Sequence, residues 1–205
     1  MVGLKHPDFR IEGEAAASGF AKVCGVDEAG RGPWAGPVVA AAVILDPSHI
    51  PPGLNDSKKL TALQREALFQ PIMASARVGI GIAEAQQIDR DNILAATLWA
   101  MAEAVSQLGG VAMALVDGNC APKLSCKVIT LVGGDGRSLS IAAASVIAKV
   151  TRDRIMRAHD VTWPQYGFAR HKGYGTAFHA AALEVHGPSP IHRQSFQPVA
   201  VLLAR

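Results

Sequence analysis

Four carboxylates carry the clearest chemical signal in this sequence, because each follows an apolar segment beside a glycine-rich turn: Asp27, Glu28, Asp117 and Asp135. The apolar segments, residues 23–26, 111–116 and 128–132, have the composition of buried strands. A carboxylate at the end of such a strand is costly to bury unless a positive charge neutralises it. Ligands that offer only oxygen favour Mg²⁺ or Mn²⁺, so the pattern suggests a shared divalent-cation site.

Carboxylates that converge on paired divalent cations can serve phosphoryl transfer, because such cations bind both the attacking and the leaving oxygen of an in-line displacement. One geometric difficulty concerns Asp27 and Glu28, since adjacent residues of a regular strand face opposite ways. Both point inward only if the strand has ended, and Gly25 and Gly30 would permit that distortion. The alternative is that the four acids cap helices or turns, a common role of Asp at strand exits.

Basic side chains lie mostly near the same loops as the acids: Lys58, Lys59, Lys123, Lys127, Arg137, Lys149, Arg152, Arg170, Lys172 and Arg193. Binding to a phosphate backbone requires such a spread, although each residue taken singly also fits a solvated surface charge. Gly30-Arg31-Gly32 could present backbone N–H groups to a ligand, or could serve turn geometry alone. The spacings of a P-loop and of a nucleophile elbow are both missing from the sequence.

Composition favours one intracellular domain. The 205 residues suffice for one well-filled core, and the net charge of +3 favours an anionic partner only weakly. Three cysteines without a CxxC pair argue against a disulfide framework. The N-terminus lacks the apolar core of a signal peptide, and the longest apolar run, residues 38–45, is far shorter than the roughly 20 residues that a membrane span needs. We expect a soluble, cytoplasmic protein.

The elements that must position these residues alternate between strands and helices. The pattern predicts strands at 22–26, 38–45, 77–83, 111–116 and 127–132, and helices at 60–73, 91–108, 139–159 and 176–186. Asp91 is the expected N-cap of the second helix, and Ser138 or Ser140 that of the third. Residues 1–20 are interpreted as a loosely held arm. This order predicts an α/β fold in which helices cover a mixed sheet.

Taken together, the motifs resemble the ribonuclease HII family over about residues 22–197. The segments that carry the resemblance follow in order: GVDEAGRG (25–32), GPVVAAAV (36–43), DSKKL (56–60), VDGN (116–119), GD (134–135), SIAAASVIAKVTRD (140–153), HKGYGT (171–176) and HRQSF (192–196). The resemblance implies one ribonuclease-H-like catalytic domain spanning residues 1–205. Its core would cover about 20–160 and a helical C-terminal extension about 161–205.

The resemblance also implies an activity. Such an enzyme hydrolyses the RNA strand of RNA–DNA hybrids, cuts at single ribonucleotides embedded in duplex DNA, and leaves 3′-hydroxyl and 5′-phosphate ends. By motif position, the catalytic carboxylates that hold Mg²⁺ or Mn²⁺ would be Asp27, Glu28, Asp117 and Asp135. The residues that recognise the ribose 2′-hydroxyl would be Gly30, Arg31, Gly32 and Tyr174, and those near phosphates would be Ser57, Lys58, Lys149 and Arg193.

Three alternatives remain at this point. A hybrid-binding module without catalysis would gain nothing from clustered negative charge beside a phosphate. A DNA-only nuclease on the same fold has no 2′-hydroxyl to read. The sister family, ribonuclease HIII, lacks Gly-Arg-Gly in this form and has a large N-terminal domain, whereas about 20 residues precede the first strand here. We expect a monomer that binds RNA–DNA hybrid and ribonucleotide-containing duplex DNA and does not bind membranes.

Overall fold

A five-stranded mixed sheet forms the centre of the protein in the computed structural model, which describes residues 6–204. The strands are β1 (Val23–Ala29), β2 (Val38–Leu45), β3 (Ala76–Ala83), β4 (Met113–Asp117) and β5 (Lys127–Leu131). Their order is β3-β2-β1-β4-β5. The first three strands pair antiparallel, and β4 and β5 run parallel to β1. The predicted mixed sheet is confirmed.

Helices cover both faces of this sheet and form the C-terminal part of the chain. They are α1 (Arg10–Ala17), α2 (Ala62–Ser75), α3 (Ala85–Asp91), α4 (Ile93–Ser106), α5 (Leu139–Thr162), α6 (Phe168–His171), α7 (Ala177–His186) and α8 (Gln197–Leu203). The last three confirm the predicted helical extension. Among residues 6–204, no helix has both the length and the apolar character that crossing a membrane requires.

Small residues let the two main helices approach the sheet closely. On one face, Cβ atoms added at Gly79 and Gly81 of β3 would lie 2.0 Å from carbonyl oxygens of α4. On the other face, a Cβ at Gly25 of β1 would lie 2.1 Å from the carbonyl carbon of Ser140 in α5. Contacts this short exclude any side chain, so the glycines set the distance between the sheet and the two helices. The start of α5 is thereby held against β1, next to Asp27.

The fourth helix begins one residue later than predicted. Asn92, not Asp91, is its N-cap: the Asn92 side chain accepts hydrogen bonds from the N–H groups of Leu94 and Ala95 at 2.9 and 3.0 Å. Asp91 is instead the last residue of the separate helix α3. The positive φ of Asn92, 66°, breaks the chain direction between the two helices. The predicted cap at Asp91 is wrong because the pattern hides this break.

The N-terminal segment is not a loose arm where the structure describes it. Residues 10–17 form α1, and Glu12 in its first turn is 2% exposed. One Glu12 carboxylate oxygen accepts hydrogen bonds from Ser138 Oγ at 2.6 Å and from Ser140 N at 2.9 Å. A helix N-terminus leaves N–H groups without partners, and a carboxylate satisfies them well. Helix α1 therefore anchors the beginning of α5; residues 1–5 of the predicted arm lie outside the described chain.

Candidate active site

Strand β1 continues past the point where the sequence predicts its end. Asp27 and Glu28 pair with Ala41 and Ala40 of β2, whereas the pairing of β1 with β4 stops at Val26. The expectation that a loop begins at Asp27 is therefore wrong. Because the strand stays regular, its two acids project from opposite faces of the sheet.

Three of the four predicted carboxylates converge. Asp27 lies in β1, Asp117 is the last residue of β4, and Asp135 lies in a 3₁₀ turn after β5. Parallel strands bring their carboxyl ends to the same edge, and each of the three acids offers an oxygen within 4.8 Å of the others. Glu28 is not in this group; its carboxylate lies 3.5 Å from Arg31 Nη1 in an ion pair. Glu28 as a metal ligand stays a prediction.

Main-chain N–H groups fix two of these carboxylates. Asp27 Oδ1 accepts from Glu28 N, and Asp117 Oδ1 accepts from Gly134 N, both at 2.7 Å. The second bond ties the end of β4 to the turn that carries Asp135. A Cβ at Gly134 would lie 2.6 Å from Ile141 Cδ1, so a side chain there would displace the turn. The acids thus have part of the turn-capping role that was the alternative, but they also form a cluster.

Burial and mutual repulsion oppose ionisation of the cluster. Burial, followed by repulsion from Glu28 and Asp117, raises the pKa of Asp27 well above its usual value. Burial is also the main cause of the raised pKa of Asp135, although the neighbouring Lys58 opposes it. Burial disfavours the charge on Lys58, yet the hydrogen bond to Asp135 and the attraction of Asp135, Asp56 and Asp27 together outweigh burial and raise the lysine pKa. The charge of Lys58 therefore offsets the negative charge of the three carboxylates only in part.

A hard divalent cation fits this donor set. Asp27 and Asp135 are each 5% exposed, and within residues 6–204 the one ammonium group in an ion pair with any of the three carboxylates is that of Lys58. Oxygen-only donors of this kind bind Mg²⁺ or Mn²⁺ rather than soft transition metals. A cation held by Asp27, Asp117 and Asp135 would supply the charge that the cluster lacks.

A cavity of about 280 Å³ opens beside the acids and brings together most of the predicted site. Its lining comprises Asp27, Glu28, Ala29, Gly30, Arg31, Gly32, Ser57, Lys58, Arg65, Asp117, Lys149 and Tyr174. All four residues expected to recognise ribose are present. A separate cavity of about 450 Å³ lies elsewhere, beside Trp99 and Cys126, and none of these residues lines it.

Tyr174 faces the Gly-Arg-Gly segment across this cavity. Its side chain is 45% exposed, and a Cβ at Gly32 would lie 4.0 Å from Tyr174 Cε1. The tyrosine follows a tight turn in which Lys172 and Gly173 have φ values of 54° and 83°. Trp34 N donates to Gly173 O at 2.9 Å, which fixes this turn to the link between β1 and β2. Segments about 140 residues apart in sequence thus form the two walls of one cleft.

Arginine residues account for the main differences from expectation. Arg193 does not reach a phosphate position: it is fully buried and hydrogen-bonds to three main-chain carbonyl oxygens. Arg65, which the sequence reasoning missed, lines the cavity and donates to the carbonyls of Ser57 and Leu60 at 2.7 and 2.5 Å. Arg65 follows Thr61, the N-cap of α2, by four residues, so it lies one helical turn beyond the loop that contains Ser57 and Leu60. This spacing could have indicated its position from the sequence.

Comparison with known proteins agrees with this geometry. The sequence profile described as Ribonuclease HII matches residues 24–199. A curated ribonuclease HII from Azorhizobium caulinodans is 58% identical over 200 residues, covering 97% of this chain and 76% of that protein.

Solved structures show the same architecture. The crystal structure of ribonuclease H2 from Pyrococcus horikoshii OT3 is 27% identical with a TM-score of 0.74, covering 90% of this chain and 98% of that one. Bst-RNase HIII, solved in complex with Mn²⁺, shares the fold at 20% identity with a TM-score of 0.72, covering 89% of this chain and 69% of that one. The chain therefore belongs to the ribonuclease HII family and is a ribonuclease H, a hydrolase that acts on RNA–DNA substrates.

Proposed function

We propose that this protein is a metal-dependent endonuclease that cuts the RNA strand of RNA–DNA hybrids and also cuts at single ribonucleotides embedded in duplex DNA. The products are a 3′-hydroxyl and a 5′-phosphate. One observation carries the proposal: carboxylates of the acid cluster line the same cavity as Gly30-Arg31-Gly32 and Tyr174. Chemistry on a phosphodiester and recognition of the adjacent sugar can therefore occur together.

The acids supply the metal site. Asp27, Asp117 and Asp135 would hold Mg²⁺ or Mn²⁺, with Glu28 as a further ligand from the rim. A cation bound there would stabilise charge on the scissile phosphate and lower the pKa of an attacking water.

Basic and polar side chains orient the substrate phosphates. Ser57, Lys58 and Lys149 line the cavity beside the acids. Lys58 Nζ lies 3.1 Å from Asp135, and Lys149 Nζ lies 2.8 Å from Asp153. Both ammonium groups are thus held where an entering phosphate can contact them. Their role is to position the phosphate electrostatically, which lowers the activation barrier without a proton transfer.

The cleft wall supplies the sugar specificity. A ribose 2′-hydroxyl both donates and accepts hydrogen bonds, so main-chain groups of residues 30–32 can distinguish it from deoxyribose. A site built to pair with a hydroxyl rejects the analogue that lacks it, because the buried polar groups are then left without partners. We also propose that the protein acts as a monomer, since one chain supplies both the acids and the cleft wall.

A pair of matched duplexes tests the proposal. One contains a single ribonucleotide and the other is entirely DNA. With Mg²⁺ or Mn²⁺, the protein should cut only the first, and excess EDTA or the variant Asp135→Asn should abolish cutting. Asp46→Asn is the matched control, because Asp46 is an exposed carboxylate that pairs with His49 at 2.8 Å.

The outcomes separate the alternative functions. Full cleavage by Asp135→Asn, or full cleavage in EDTA, would overturn the metal-dependent mechanism. Equal cleavage of both duplexes would indicate a DNA nuclease on the same fold. Tight binding without any cleavage by the unmodified protein would indicate a hybrid-binding module.

A further inference from the structure

Arg193 lies beneath the Gly-Arg-Gly segment and holds it from inside the protein. The side chain is fully buried. Its guanidinium donates from Nη2 to Gly30 O at 2.5 Å, from Nη1 to Arg31 O at 2.9 Å, and from Nε to Gly36 O at 3.0 Å. The planar fork of arginine suits adjacent carbonyl oxygens, whereas the single ammonium of lysine cannot reach all three with comparable geometry.

These bonds decide where the neighbouring N–H groups point. In a planar trans peptide, the C=O of one residue and the N–H of the next point in opposite directions. Because the carbonyls of Gly30 and Arg31 point inward to Arg193, the N–H groups of Arg31 and Gly32 point the other way, outward from the guanidinium. Within residues 6–204, neither N–H group has a hydrogen-bond acceptor. Both residues line the cavity beside the acids.

A second buried arginine connects this segment to the tyrosine turn. Arg152, in α5, is fully buried and donates to Pro37 O at 2.9 Å, Ala35 O at 3.1 Å and Lys172 O at 3.0 Å. Its guanidinium carbon also lies 6.0 Å from the centre of the Tyr174 ring. Arg152 thus holds both walls of the cleft at a fixed separation, while Arg193 sets the peptide planes of one wall.

Burial of two cationic side chains is a costly way to brace a loop. Desolvation by burial lowers the pKa of Arg193 to about 9 and that of Arg152 to about 10. Apolar packing of similar volume would hold a loop at lower cost. Apolar packing would not, however, fix the directions of successive carbonyl groups. The arrangement therefore serves peptide orientation as well as stability.

We propose that Arg193 is a positioning residue for sugar recognition: by holding the carbonyls of Gly30 and Arg31, it aims the N–H groups of Arg31 and Gly32 at the ribose 2′-hydroxyl. This inference rests on the proposed function. Arg193 does not touch the substrate and acts only through the main chain. Its loss should therefore reduce the preference for ribose without removing metal binding or general attraction to duplex DNA.

The variant Arg193→Lys tests this role, because it keeps the charge and removes the fork. Binding is measured with Ca²⁺ in place of Mg²⁺, using the ribonucleotide duplex and the matched DNA duplex. We expect the binding preference for the ribonucleotide duplex to fall about tenfold or more, as when a hydroxyl loses its designed partners. We expect kcat to fall with it, while Mn²⁺ affinity and binding to the DNA duplex stay within about twofold. Arg154→Lys is the control, since Arg154 of α5 pairs with Glu66 of α2 and neither residue lines the cavity.

Amide NMR of the unmodified protein gives a second readout that does not depend on how the variant folds. The amide protons of Arg31 and Gly32 should shift downfield with the ribonucleotide duplex and not with the DNA duplex. Unchanged amide protons, or a folded Arg193→Lys protein that keeps its full preference, would overturn the inference. Equal losses of Mn²⁺ binding, DNA binding and preference would reduce Arg193 to a purely structural role.

The same experiment distinguishes failure of the inference from failure of the proposed function. If the unmodified protein shows no preference for the ribonucleotide duplex, both are overturned. If the unmodified protein shows the preference and the variant keeps it, only the role of Arg193 is overturned.

Discussion

Lys58 Nζ lies 3.1 Å from Asp135 Oδ2, so an exposed lysine supplies positive charge beside the acid cluster. The Lys58 side chain is 76% exposed, whereas that of Asp135 is only 7% exposed. An exposed ammonium is weakly held, because solvent screens its interaction. The carboxylates therefore remain strained by their own repulsion until a stronger cation binds, and this repulsion has measurable consequences for stability.

Asp27→Asn should stabilise the metal-free protein while abolishing cleavage. The amide keeps the oxygen that accepts from Glu28 N and removes a buried charge. We expect a gain on the order of 1 kcal/mol, a change typical of relieved functional strain, or about 2–4 °C in melting temperature. Thermal unfolding in EDTA measures it.

The pH dependence of that gain checks its cause. Burial and acidic neighbours raise the pKa of Asp27 in the folded state, so its contribution to stability is favourable in acid and is lost as pH rises through the raised pKa. The advantage of Asp27→Asn should therefore grow from about pH 4 towards neutrality. Asp46→Asn should show no such gain. An advantage independent of pH would contradict electrostatic repulsion as the source.

Glu28→Gln should weaken Mn²⁺ binding less than Asp117→Asn does. Glu28 pairs with Arg31 outside the three-acid group, whereas Asp117 lies within it. We expect about tenfold or more loss of affinity for Asp117→Asn and a clearly smaller loss for Glu28→Gln. Titration calorimetry on the substrate-free protein measures both. Equal losses would show that Glu28 swings into the cluster when the cation binds.

Tyr174→Ala should reduce cleavage far more than duplex binding. The side chain is half-exposed beside Gly32, so its removal leaves little buried space and costs little stability. Single-turnover rates and binding constants on the ribonucleotide duplex separate the two effects. Tyr174→Phe then tells whether the hydroxyl or the ring is responsible. Equal losses of rate and affinity in Tyr174→Ala would mean that the tyrosine supports the fold alone.

Two buried histidines should make the fold sensitive to acid. His179 and His192 face each other with their Nε2 atoms 3.0 Å apart, an arrangement in which only one of them can carry the shared proton. Burial lowers the pKa of each to about 4 from the usual 6.5. Their contribution to stability is therefore present above pH 6.5 and is lost as pH falls through the folded-state pKa.

Denaturant unfolding across that pH window measures the effect. His192→Gln should flatten the fall of the unfolding free energy, because one titrating group is gone. His49→Gln is the control, since His49 is an exposed residue. An unchanged slope in His192→Gln would show that the buried pair does not drive acid unfolding.

Glu12→Ala should destabilise the protein although Glu12 does not line the cavity. Its carboxylate accepts from Ser138 Oγ and Ser140 N, and truncation leaves both buried donors without partners. We expect a loss of about 2 kcal/mol, the usual penalty for unpaired buried polar groups. Glu14→Ala is the matched control, because its ion pair with Arg10 is exposed. Equal effects of the two variants would contradict the anchoring role of α1.

The sequence by itself determined the chemical inventory and the order of elements. Apolar runs of strand length, each with an acid and a glycine at or just after its end, predict the strands that position Asp27, Asp117 and Asp135, because burial of both sheet faces requires such runs. The glycine-rich link and the tyrosine motif can also be recognised from the sequence, because each is a run of neighbouring residues. Turn chemistry and periodicity depend on neighbouring residues, so they can be read without knowing the fold.

Tertiary structure alone decided which of these residues meet and which face they take. Strand β1 extends to Ala29 because β2 pairs with it, and this pairing turns Glu28 away from Asp27. Arg193 looks in sequence like any surface cation, yet it is buried and donates hydrogen bonds to carbonyl oxygens 157 to 163 residues away. Long-range pairing and burial depend on the whole chain. The sequence shows where a charged residue stands along the chain, whereas its interaction partners are determined only when distant segments pack together.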